Sequence, residues 1–194
     1  GDVYKRQCMS RIFYHVVTDH PMQLNQEIYF DENHHSGVYE RVMQYKDLVD
    51  DIYLNPNKYK NEDLQHHVKV ALREFALEEV RKQKYPNYPS RMSSLYVSNT
   101  YEEAEKWYDR FIKLGRPVYS IVKVEVNGNF YQGDSWNCFD GCTNKQKNLE
   151  LAEHYWKSPI NQEGKEPIKE IIVDGNIKVI EIIKDNANVK ECDI

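Results

Sequence analysis

The chain has 194 residues, 40% of them hydrophobic and 29% charged, with a net charge of −5. That length suits one domain with room for a helical excursion, and 15 Tyr, 6 Phe and 3 Trp supply the large apolar area a core needs. The negative balance argues against a large basic nucleic-acid surface, though not against a small basic groove, and no run of about 18 apolar residues exists to span a membrane as a helix.

Gly1 to Gln7 resembles the translation of the transposon end sequence used to prepare sequencing libraries. Residues 1–8 are therefore expected to be a leader foreign to the fold, in a gene recovered from a metagenomic assembly. The natural start is then Met9 or lies upstream. No signal peptide is visible, so a cytoplasmic protein is expected. Cys8, Cys138, Cys142 and Cys192 lack the second ligand pair that a zinc site requires. They read as reduced thiols, with no metal expected.

Arg11–Thr18, Arg-Ile-Phe-Tyr-His-Val-Val-Thr, is rich in β-branched and aromatic residues and predicts a strand with Tyr14-His15 in its middle. Glu27–Phe30 predicts a second, shorter strand. The pairs His34-His35 and His66-His67 diverge on any regular element and read as solvated, not as metal ligands. One helix is expected over Val38–Leu54, with Val38, Val42, Tyr45 and Val49 on one stripe and Asn55-Pro56-Asn57 ending it. Leu64–Lys84 predicts the longest helix. Its apolar face is Val68, Ala71, Leu72 and Phe75, and Arg73, Glu74, Glu78, Glu79 and Arg81 read as a solvated face. Tyr85 to Ser90, with two prolines, stops it. Arg91 reads either as a phosphate contact or as an ordinary edge residue.

Ser94–Ser98 predicts a short strand. Thr100 follows as a helix N-cap, with Glu103 three residues on as the other half of a capping box. Ala104, Trp107, Tyr108 and Phe111 then fall on one helical face. Pro117–Val126 predicts a strand in which Val122, Val124 and Val126 alternate with Lys123 and Glu125. Asn127-Gly128 predicts a type I′ hairpin, with Asn129-Phe130-Tyr131 running back. A loop over Gly133–Asn144 and a helix over Gln146–Lys157 come next. Ile168–Val173 predicts a strand with Glu170 near its start, Asp174-Gly175-Asn176 a turn, and Ile177–Ile183 the returning strand. Residues 185–194 are polar and read as a frayed tail.

Three of these segments resemble, in order, the motifs of ADP-ribosyltransferases of the His-Tyr-Glu type, the class of poly(ADP-ribose) polymerases and diphtheria toxin. Tyr14-His15 is similar to the family's first core strand. Tyr96 and Trp107 have the spacing of its two nicotinamide-stacking aromatics, with Trp in place of the usual Tyr and no matching serine in the helix. Lys169-Glu170-Ile171-Ile172-Val173 resembles the strand that carries its catalytic Glu. The likeness covers Met9 to Ile183. The chain also resembles an uncharacterised bacterial family grouped with this fold, in which the segments Arg-Glu, Pro-Ser-Arg, Tyr-Trp and the terminal Glu strand recur.

The resemblance implies an α+β fold: a split antiparallel sheet with helices packed outside, as one domain over residues 9–184. It implies an NAD-dependent mono-ADP-ribosyltransferase, a glycosyltransferase with a toxin-like or phage-defence role. Glu170, Tyr96 and His15 are then catalytic, and His15, Tyr14, Tyr96, Trp107 and Ser94 contact NAD. Its partners would be NAD and a macromolecular acceptor, protein or nucleic acid, with no membrane and no metal. No G-x-G-x-x-G occurs, so a Rossmann turn is not the expected NAD site. The alternatives are an NAD glycohydrolase of the same fold and a non-catalytic domain that binds a nucleotide or a protein. For each matched residue the plainer reading is a core aromatic, a core histidine satisfied by a carbonyl, or a rim carboxylate.

Overall fold

The computed structural model describes residues 10–186. The expected leader and residues 187–194 of the expected tail, with Cys8 and Cys192, lie outside them. The elements run β1 (Arg11–Val17), β2 (Glu27–Phe30), α1 (Gly37–Met43), α2 (Lys46–Leu54), α3 (Pro56–Tyr59), α4 (His66–Lys84), β3 (Leu95–Val97), α5 (Tyr101–Lys113), β4 (Ser120–Asn127), β5 (Phe130–Asp134), α6 (Lys145–Lys157), β6 (Lys169–Val173) and β7 (Gly175–Asp185). The fold is α+β with two antiparallel sheets, of order β1-β4-β7-β2 and β3-β6-β5. No helix among the described residues is long and apolar enough to cross a membrane. The chain divides into two compact units.

The first unit comprises residues 10–31, Leu95–Phe130 and 171–186. Val122, Val124 and Val126 of β4 alternate inward as expected and join Phe13, Val17, Val97, Ile171, Val173, Ile177 and Val179 in one buried cluster. Each such side chain contributes about 1.5–3 kcal/mol by leaving water. On α5 the cap forms as the sequence predicts. Thr100 Oγ1 accepts from the Glu103 amide at 3.2 Å, and the Glu103 carboxylate reaches back to the Asn99 amide at 3.3 Å. The face behind the cap packs Ala104 and Tyr108 on Val16, Val118 and Ile121, flanked by Trp107 and Phe111.

Both expected hairpins are absent, and the reason is an edge already taken. β4 is bonded on one side by β1 and on the other by β7, so β5 has no free edge of β4 to pair with and joins the second sheet. β6 likewise pairs with β3, while β7 pairs with β4 and β2. The two connections lie against each other instead. A Cβ on Gly128 would meet the Asp174 carbonyl oxygen at 2.1 Å, and one on Gly175, at φ +76°, would meet the Asn127 oxygen at 2.3 Å. Asn129 and Asp174 clip the two strands together through bonds of 2.7 and 3.1 Å. The glycines that suggest I′ turns serve a close crossing of two backbones.

The second unit comprises Glu32–Ser94 and Tyr131–Glu170. Its helices bury Val42, Val49, Ile52, Tyr59, Val68, Ala71, Leu72 and Met92 together. The single helix expected over Val38–Leu54 is two. The Tyr45 amide bonds back three residues to Val42, and Tyr45 leaves helical geometry at φ −101° and ψ 6° before α2 begins. No Gly or Pro marks that break, so the sequence carries no signal for it. A second group of side chains joins α4 to α6: Trp156 donates from Nε1 to the Leu77 carbonyl at 2.9 Å, and its ring meets Tyr88, Tyr131 and Tyr155. The charged face expected to be solvated on α4 is largely covered. Glu74 is 2% exposed, and Arg81 is held by Glu78 at 2.7 Å with both side chains mostly buried.

Candidate functional site

His15 lies on the face of β1 that Phe13 and Val17 share, so a polar ring occupies a position that strand alternation assigns to the core. Tyr14 forms a bridge with Ser98 just past β3, through bonds of 2.9 and 2.7 Å. This pairing brings the end of β3 to β1, and His15 Nδ1 bonds the Tyr96 carbonyl at 2.6 Å. A carbonyl only accepts, so Nδ1 carries the hydrogen and Nε2 keeps its lone pair. His15 is half-buried, and the desolvation of its ring lowers its pKa from 6.5 to about 4, against the Tyr96 carbonyl and Asp19, which raise it. The ring is thus neutral near pH 7, with one acceptor to offer a hydroxyl or amide.

Tyr96 itself points away from the core that Leu95 and Val97 face, and is 36% exposed. Of the other residues singled out in the sequence, Tyr14 meets Tyr101 edge-on at 6.4 Å. Trp107 packs against Phe111 at 5.7 Å, with the Arg110 guanidinium 4.7 Å over its ring. Ser94 belongs to the second unit and is 3% exposed. Its Oγ is buried without a hydrogen-bond partner among the described residues, a condition that costs about 1–3 kcal/mol.

Glu170 also belongs to the second unit, and it is no solvated rim residue. Its side chain is 11% exposed, and its Oε1 accepts from Arg91 Nη1 and, at 2.7 Å, from the Tyr155 hydroxyl. Arg91 is neither an edge residue nor a free phosphate contact. It is 5% exposed and pairs with Glu74, Nε to Oε2 at 3.0 Å and Nη2 to Oε1 at 3.1 Å. Arg73 bonds the same Glu74 carboxylate at 3.0 Å. Burial pushes the Glu74 carboxyl up, but the Arg91 and Arg73 guanidiniums outweigh it and hold the group below its ordinary range. Cys138 lies 4.0 Å from Arg91 Nη2, and burial raises its thiol despite both arginines. Two guanidiniums face two carboxylates, so the buried charges balance, a condition for keeping them there.

The structure thus brings His15 and Tyr96 together within the first unit and gives Glu170 partners that sequence reasoning did not place at the site: Arg91, Glu74 and Tyr155. A signal for Glu74 was present. Ala71 and Leu77, three residues to either side, put it inside an apolar stripe of α4. Among the described residues no group of three His, Cys, Asp or Glu side chains is placed to hold a metal ion. No curated protein matches the chain. A family model described as Protein of unknown function (DUF2441) matches residues 13–185, and the chain belongs to that family.

Proposed function

We propose that this member of the DUF2441 family is an NAD-dependent mono-ADP-ribosyltransferase. It breaks the bond between nicotinamide and ribose, and an acceptor nucleophile takes the ribose carbon while losing its proton. The observation that carries the reading is His15: a neutral imidazole, fixed through Nδ1 by the Tyr96 carbonyl at 2.6 Å, with Nε2 free to accept from a ribose hydroxyl. The exposed Tyr96 ring offers a stacking surface for nicotinamide. Both described bonds to Glu170 end on Oε1, so Oε2 remains for the ribose 2′-hydroxyl. There a fixed carboxylate stabilises the oxocarbenium-like charge that develops as nicotinamide leaves. The α+β architecture with two antiparallel sheets is compatible with the split sheet of such enzymes.

The test is incubation with NAD labelled in its adenylate half, alongside separate pools of protein, RNA and DNA. Label entering one pool as nicotinamide is released supports the transferase. Nicotinamide release with no labelled pool converts the reading to an NAD glycohydrolase. No release at all defeats both. That last result would favour a non-catalytic nucleotide- or protein-binding domain, to which the buried Arg91–Glu170 pair lends support, because it uses Glu170 as part of a core.

A further inference from the structure

Glu170 sits at the end of a chain of side chains whose geometry does more than neutralise it. Arg91 cannot turn. Two of its three guanidinium nitrogens are engaged by the one Glu74 carboxylate, Nε at 3.0 Å and Nη2 at 3.1 Å, and Cζ lies 5.1 Å over the Tyr155 ring. A two-point pairing of this kind fixes the plane of the guanidinium as well as its place. Glu74 is in turn fixed by Arg73, bonded at 3.0 Å. The remaining nitrogen, Nη1, is left to donate to Glu170 Oε1 and, at 2.7 Å, to the Tyr155 hydroxyl.

That second bond settles the polarity of the third. The Tyr155 hydroxyl accepts from Arg91, so its own hydrogen points along the 2.7 Å bond to Glu170 Oε1. Two donors therefore converge on one oxygen of a carboxylate and fix its rotation. The charges of Arg73 and Arg91 are matched by those of Glu74 and Glu170, so Glu170 is held by geometry and not by an excess of positive charge. An excess would oppose the stabilisation of a cationic centre.

We infer that Arg91 is a positioning residue for Glu170, with the Tyr155 hydroxyl as the second contact, and that the pair together present Oε2 to the substrate. The inference rests on the transferase reading above. It assigns no substrate contact to Arg91 or Tyr155; both act through Glu170.

The experiment is a double-mutant cycle on the full chain, reading nicotinamide release, NAD affinity and thermal stability. Tyr155→Phe removes one hydroxyl and keeps the ring in its aromatic cluster; Arg91→Lys keeps the charge and removes the two-point grip. Each is expected to slow release by about tenfold to a hundredfold, the penalty for a misplaced reacting group, with NAD affinity unchanged. Made on Glu170→Gln, the same substitutions should add almost nothing, because residues that act as a unit are not additive. Full multiplicative losses on Glu170→Gln would overturn the inference, as would losses that follow thermal stability or NAD affinity. If Arg91→Lys fails to fold, Tyr155→Phe alone decides. A parent chain that releases no nicotinamide removes the transferase reading and this inference with it. An active parent with additive variants removes the positioning role alone.

Discussion

His15 takes its orientation from backbone, through one bond to the Tyr96 carbonyl. Glu170 takes its orientation from side chains, through Arg91 and Tyr155, and Arg91 in turn depends on Glu74. The first arrangement survives a change of the Tyr96 side chain, because the carbonyl remains. The second fails when one of its charged members is truncated, because a partner charge is then left buried and unpaired. A polar group held by a neighbouring strand is robust, and one held by a salt-bridge network is fragile but can be set to an exact direction.

The largest effect should come from breaking the network. Glu74→Ala leaves Arg91 and Arg73 without their shared carboxylate and should lower stability by about 3–5 kcal/mol, read by denaturant unfolding. A loss no larger than that of an exposed pair would mean that water reaches the cluster and that the contrast with His15 is false. Tyr96→Ala attacks the other region and should leave stability nearly intact. If the ring stacks on nicotinamide, NAD affinity falls by about 1–3 kcal/mol, the worth of an aromatic stacked on a flat base, and calorimetry measures it. Unchanged affinity removes the stack.

Acid separates the two regions by window. Unfolded His15 takes a proton near its ordinary 6.5, and the folded ring resists until about 4. Between those values the unfolded chain binds more protons, so stability should fall as pH drops from 6.5 towards 4. Glu74 works lower. Its folded pKa is depressed, so its contribution should be lost only as pH falls below its ordinary 4.5. A His15→Gln chain should therefore keep its stability down to the lower window. An unchanged slope between 6.5 and 4.5 in that variant would show that His15 is not held neutral. The smallest effect is expected at Ser94→Ala, which removes a buried hydroxyl that has no partner among the described residues. Stability should rise by up to about 1 kcal/mol, measured by thermal unfolding. A fall in NAD affinity would instead make Ser94 a ligand contact.

What could be read from the sequence was local. Thr100 and Glu103 predicted the start of α5, and the alternation of Val122, Val124 and Val126 predicted the inward face of β4, because caps and alternation depend on neighbours in the chain. Asn127-Gly128 and Asp174-Gly175 misled. Glycine reports that a backbone needs room, and here the need came from a second backbone and not from a turn. The pairing of Glu74 with Arg91 was hidden for a related reason, although the apolar stripe around Glu74 already marked that residue as buried. Seventeen residues separate them, and a charge looks solvated until its buried partner is known. Tyr155 falls inside the helix predicted over Gln146–Lys157, and its hydroxyl finds its partners, Arg91 and Glu170, only in the folded chain.

The most direct test is Glu170→Gln, with nicotinamide release and NAD affinity measured on the variant and the parent. The substitution keeps shape and hydrogen-bonding capacity and removes the charge that the proposed transition state would need. The account predicts nearly unchanged NAD affinity and a fall in release on the order of 10²-fold or more, the size of single electrostatic contacts in enzyme active sites. Equal release from the two proteins would contradict it.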